Sequence, residues 1–147
     1  MPSQQSHTFC EKVLEDHREL NSLLDRVQTR LSADPLSLTA TATLLAELRD
    51  HVKEHFADEE AGGYFSEALT VAPWLRERAE ALHLQHPLMI KSLETLLQHC
   101  RQGDDSPVWR KSMAAEFAAF HQHLRRHESG ENQMIQDAYT QDMGASD

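Results

Sequence analysis

Cysteine is nearly absent from this chain: 147 residues contain two, Cys10 and Cys100. The helix order argued below sets them near opposite ends of the molecule, and a disulfide requires Cα atoms within about 7 Å, so two free thiols are expected. Glycine and proline are also few, five of each, in a composition that is 39% hydrophobic and 26% charged, as in soluble proteins. No apolar run approaches the roughly 18 residues needed to cross a bilayer. The first residues, Met-Pro-Ser-Gln-Gln-Ser-His-Thr-Phe, offer neither the basic nor the apolar region of a secretory signal. The expectation is a cytoplasmic protein without membrane contact. Positive charge is short as well. The formal net charge of −10 argues against nucleic acid, whose phosphates require clustered Lys and Arg. No Ser/His/Asp set and no phosphate loop is present, so any catalysis would belong to a bound metal.

What the chain has is a repeated motif. His51-Val-Lys-Glu-His55-Phe-Ala-Asp-Glu59 and His123-Leu-Arg-Arg-His127-Glu-Ser-Gly-Glu131 both read His-x-x-x-His-x-x-x-Glu. The offset is constant, carrying His51 to His123, His55 to His127 and Glu59 to Glu131. Residues four apart share a helix face, so each copy aligns two imidazoles and a carboxylate. Imidazole with carboxylate suits iron, zinc, copper or nickel, and two copies suggest a two-metal site.

The apolar spacing predicts four amphipathic helices in one domain spanning residues 1–147. The first runs from about Ser6 to Leu31 on Phe9, Val13, Leu20, Leu24, Val27 and Leu31, with His17 inside its stripe. Asp34 as N-cap and Pro35 at the first helical position open the second, which reaches Ala61 before Gly62-Gly63. Residues 64–72 form a mixed connection with room for a helical turn. Pro73 opens the third, to about Arg101; Pro87 inside it predicts either a kink or a shorter helix starting there. Ser106-Pro107 opens the fourth, which ends near Gln141. No strand-like alternation interrupts them, so the expected fold is all-α, an antiparallel up-down-up-down four-helix bundle.

Turning about 100° per residue from His51, the apolar stripe of the second helix centres near about 90°, His55 at about 40° and Glu59 at about 80°. Glu60, near about 180°, is expected to point away. On the fourth helix His127 and Glu131 fall on the stripe, whereas His123, like His51, sits on its flank. His86 lies near the centre of the third stripe and His83 about 60° to one side. Six groups thus converge on the interior: His17, His55, Glu59, His86, His127 and Glu131. Burying them uncompensated would cost several kcal/mol or more, about the penalty for unpaired buried charge; a metal pair removes it.

These residues resemble the hemerythrin-like, or HHE cation-binding, family over nearly the whole chain. The likeness rests on Asp16-His17-Arg18-Glu19-Leu20, His55-Phe56-Ala57-Asp58-Glu59-Glu60, His86, and His127-Glu128-Ser129-Gly130-Glu131. It implies a four-helix bundle around two iron ions with a bridging oxo or hydroxo group. Glu59 and Glu131 would bridge, and His17, His55, His86 and His127 would be terminal ligands. The chain departs from the oxygen-carrying members in having His83-x-x-His86 on the third helix and His127-x-x-x-Glu131 on the fourth. Fewer imidazoles leave more open positions for O₂, peroxide or nitric oxide. The readings that follow are a ligand-binding or sensing module, a di-iron enzyme for peroxide breakdown or oxidation, and an iron storage or sensing module. Gly130, between two expected ligands, costs helix stability of about 1 kcal/mol relative to Ala and suggests open space beside the site.

Overall fold

The computed structural model describes the backbone of residues 4–61 and 64–145 and the side chains of residues 15–61 and 65–140. Its elements are α1 (Gln4–Leu31), α2 (Leu38–Glu60), α3 (Tyr64–Val71), a 3₁₀ turn (Pro73–Leu75), α4 (Arg76–His83), α5 (Gln85–Arg101) and α6 (Pro107–Ala145). The described residues are all helix and connection, as the periodicity requires. Among them, no helix is long and apolar enough to cross a membrane. The expected contributions of Phe9, Cys10 and Val13, and the Gly62-Gly63 stop, lie outside what is described; Cys100 is a free, buried thiol.

Packing follows the apolar stripes. α1 lies on α2, α2 on α5, α5 on α6, and α6 closes back on α1. Leu24, Leu45, Leu48, Val52, Met89, Leu93, Met113 and Leu124 meet in the main apolar cluster. Each such side chain, fully buried, contributes about 1.5–3 kcal/mol. A second cluster joins Phe65, Ala68, Ala72, Leu75, Ala79 and Leu82 to Met134, Ile135 and Ala138, seating α3, the 3₁₀ turn and α4 on the later part of α6.

Three boundaries differ from those expected, each for a local reason. The second helix starts at Leu38, not Pro35, because Ser37 is its N-cap: the Ser37 hydroxyl accepts from the Ala40 N–H at 3.2 Å. Asp34–Pro35 is a cis bond in the preceding connection. The long third helix is split at Leu84. Pro87 donates no N–H, and its ring crowds the carbonyl four residues back, which is that of His83, the last residue of α4. Proline therefore acts one turn before its own position, and α5 begins at Gln85 with Pro87 in its first turn. α6 continues past Gln141 to Ala145. Ser106 does cap α6, accepting from the Trp109 N–H at 3.2 Å.

Gly130 leaves no open space. A Cβ there would meet Leu82 Cδ2 at 3.2 Å. The glycine lets α6 and α4 approach closely beside the polar centre of the bundle.

Candidate metal centre

The six inward groups do meet, in two adjoining sets. Glu59, His86, His127 and Glu131 place one donor atom each within 4.8 Å of one another, and His17, His55 and Glu128 form a second set by the same measure. We call these the inner and outer lobes, since His86, His127 and Glu131 are buried while His17 and Glu128 are partly open to solvent. Glu59 touches both. Its Oε1 lies 2.7 Å from His55 Nε2 of the outer lobe, and its Oε2 lies 3.0 Å from His86 Nε2 of the inner lobe. Glu131 contacts His127 Nε2 and stays within the inner lobe.

The orientation of the rings is set by acceptors on their far sides. Asp16 takes the Nδ1–H of His55 in a short hydrogen bond. Glu60 Oε1 accepts from His86 Nδ1 at 2.9 Å, and Gln85 Oε1 from His127 Nδ1 at 2.9 Å. With Nδ1 engaged outward, all three rings present Nε2 to the centre. Phe56 stacks on His86 with ring centroids 3.9 Å apart and planes 3° from parallel, fixing that imidazole in the plane direction too.

Four residues of the centre lie beyond what helical angles select. Glu128 stands in the motif directly after His127, off the inward stripe of its own helix. Its carboxylate nevertheless reaches His55 Nε2 at 2.8 Å and His17 Nε2 at 3.7 Å. Glu60 does not turn away; although half exposed, its head folds back onto His86. Asp16 and Gln85 sit next in sequence to the ligand candidates His17 and His86. That adjacency, an acceptor beside an expected ligand, is the signal the sequence offers for them. The flanking histidines stand apart from the two sets. His51 Nε2 lies 3.1 Å from Asp16 Oδ1 and belongs to neither lobe, and His123 is likewise in neither. His83, at the end of α4, stands with its ring centroid 5.2 Å from that of His86, outside the inner set, and its Nε2 is buried without a hydrogen-bond partner.

Residues 8–139 match the hemerythrin HHE cation-binding domain. The chain belongs to that family. No curated protein and no solved structure gave a significant match. The residues of this HHE domain fit a cation on the structure's own terms. His86 Nε2 and His127 Nε2 face each other at 3.1 Å, although both rings already donate from Nδ1. Glu59 Oε2 and Glu131 Oε1 are buried at the same point, the first 3.0 Å from His86 Nε2 and the second in contact with His127 Nε2. Two ring nitrogens and two carboxylate oxygens converging in a buried pocket repel unless protons or a metal ion lie among them. Nitrogen and carboxylate oxygen donors together match a borderline divalent metal such as iron or zinc.

Electrostatics of the HHE centre express the same demand through protons. Burial of His55 opposes its charge, but hydrogen bonds to Asp16, Glu128 and Glu59 win and push it up to about 12. Burial likewise opposes charge on His127, which Glu131 and Glu59 push up to about 9. Glu131 rises to about 8 through burial and the nearby Glu59 and Glu128 carboxylates, against the pull of His127. Glu59 goes the other way: despite burial, hydrogen bonds from His127, His55 and His86 hold it well below the usual carboxylate range. Asp16 is lowered too, its burial outweighed by the His55 hydrogen bond and by the His55, His51 and His17 charges. A cation entering this centre therefore competes with protons already concentrated there.

Proposed function

We propose that this HHE domain is an antiparallel up-down-up-down bundle holding a non-haem di-iron centre that engages a small ligand: O₂, peroxide or nitric oxide. His17, His55 and Glu128 would hold one iron, and His86, His127 and Glu131 the other, with Glu59 shared between them. The observation that carries this reading is the two-sided placement of Glu59, with one oxygen 2.7 Å from His55 Nε2 and the other 3.0 Å from His86 Nε2. A carboxylate spread across two donor sets suits a pair of metals better than one. The ring of contacts from α1 through α2 and α5 to α6 supports the topology.

Iron in such a set supplies redox chemistry and open coordination positions. The chain's own residues supply position and shelter. Asp16, Glu60 and Gln85 fix the imidazoles from behind, so the donor atoms do not swing away. Phe56 and the apolar cluster beneath it exclude water from the inner side. With three imidazoles in the two sets besides His17, no lobe is filled by side chains alone at the six positions iron commonly takes, and a small ligand finds room.

The test is elemental analysis with an optical spectrum. Protein expressed with iron available should carry about two irons per chain, more than one closed four-coordinate zinc site would need. Azide or nitric oxide added to the oxidised protein should generate a new charge-transfer band. One zinc and no second site on iron loading sinks the di-iron reading. Full iron with no spectral response would leave a closed site and exclude ligand binding.

A further inference from the structure

The two lobes differ in their access to solvent. Of the outer donors, His17 and Glu128 keep side-chain exposures of 32% and 20%, and only His55, at 7%, is closed off. The inner donors His127 and Glu131 keep 0% and 5%, and His86 keeps 1%. A groove of about 460 Å³ between α1 and α6 is lined by His17 and Glu128, with Asn21, Ser129, Asn132 and Gln133 along it. A hollow of about 310 Å³ beside α4 reaches His83 but no donor of the inner lobe.

The partners differ as well. Outer-lobe donors have contacts to fall back on: His55 keeps Asp16 and Glu128, and Glu128 keeps His17. Inner-lobe donors are enclosed instead: Glu59 Oε2 and Glu131 Oε1 are buried beside the His86 and His127 Nε2 atoms, so emptying that lobe leaves two carboxylates in the interior with only those imidazoles to face. Removing a metal also requires an incoming ligand to reach it. The α1/α6 groove opens onto donors of the outer set, and its volume far exceeds that of one water, whose share of the liquid is about 30 Å³.

We propose that the lobes hold metal unequally: the inner lobe retains its ion, and the outer lobe exchanges its ion with external chelating ligands through the α1/α6 groove. This rests on the two-metal reading above. A populated one-metal state follows, in which Glu59 stays with the inner ion while His55 turns to Asp16 and Glu128. Beside three leucines and Arg125 the groove presents four amides and a hydroxyl, so it admits small chelators with nitrogen or oxygen donors.

The test uses the full chain loaded anaerobically with Fe(II) and challenged with excess bipyridine, whose coloured iron complex reports release. One equivalent per chain should leave at least about tenfold faster than the other, the lower end of what loss of one supporting contact does to metal affinity. Asn132→Phe, which narrows the groove without touching a donor, should slow the fast phase and leave the slow one unchanged; Ser129→Leu serves as a further narrowing variant if Asn132→Phe folds poorly. His17→Ala should bind one equivalent and release it at the slow rate. Release of both equivalents in a single phase overturns the proposal. So does a fast phase that survives in His17→Ala or that neither narrowing variant slows. Failure to load a second iron is seen before bipyridine is added, and overturns the two-metal reading together with this proposal.

Discussion

The two copies of His-x-x-x-His-x-x-x-Glu share their three motif residues in sequence and part in structure at the second and third of them. In the first copy His51 leans on Asp16, His55 serves the outer lobe, and Glu59 reaches both lobes. In the other copy, His123 belongs to neither lobe, and His127 and Glu131 both serve the inner one. The cause is what each copy faces. The copy on α2 is opposed by α1, which brings Asp16 and His17, and by α5, which brings His86. The helix that carries the other copy, α6, packs on α5, α3, α1 and α4. A repeated spacing therefore determines which side chains face inward, while the neighbouring helix determines what each does there.

Substituting the two glutamates breaks this comparison most directly. Glu59→Gln should drop metal content from about two ions per chain to below one, because a shared ligand is lost from both lobes; Glu131→Gln should cost about one. Equal losses measured by elemental analysis would show that the copies are equivalent after all. Next in size is the histidine pair. His55→Ala should empty the outer lobe and His127→Ala the inner one, each leaving about one ion. Loss of both ions from either variant would mean the lobes do not load separately.

Acid should weaken binding in a defined window. His127, raised to about 9, and Glu131, raised to about 8, both hold protons near neutral pH that a metal must displace. Apparent affinity for the inner ion should fall by more than about tenfold per pH unit as the pH drops below about 8, since more than one proton is released. For the metal-depleted protein the sign reverses. Groups whose folded values are raised stabilise it in acid, and that contribution is lost as pH rises through about 8 to 9. A flat titration of metal affinity across this range, followed by competition with a chelator, would falsify the coupling. Gly130→Leu should destabilise by about 1–3 kcal/mol through overpacking against Leu82, read as a lowered midpoint of urea unfolding. The smallest effects sharpen the comparison at its flanks. His51→Ala should weaken outer-lobe binding by about tenfold through Asp16, and His123→Ala should change metal content little.

Much of the site is legible because it sits on helical stripes. Turning each helix about its own axis selects His55, Glu59, His86, His127 and Glu131, and all of them fall in the two donor sets. The same construction misses Glu128, Asp16, Glu60 and Gln85. Each stands off the apolar centre of its own helix and reaches the site across a seam between helices. A single-helix projection carries no information about that seam. Backbone breaks show a similar limit. Pro87 announces a disturbance, but its steric effect falls on the carbonyl of His83, so the interruption appears one turn earlier. Asp34 and Ser37 are both chemically able to cap α2, and only the path of the chain selects Ser37.

The polar centre lies between two separate apolar clusters, one binding α1, α2, α5 and the first part of α6, the other seating α3, the 3₁₀ turn and α4 on the later part of α6. Two cores joined through α6 and through a polar junction constitute two cooperative units of unequal size. The smaller one, built largely on alanine and short helices, has less apolar surface to hold it closed. Its amides should open to hydrogen exchange independently of the main core, by local rather than global unfolding. His86 follows α4 directly, across the Leu84 break, and Leu82 packs against Gly130 beside His127. A cation that draws His86 and His127 together therefore fastens the smaller unit to the larger, and metal loading should raise the exchange protection of α3 and α4 more than that of α2.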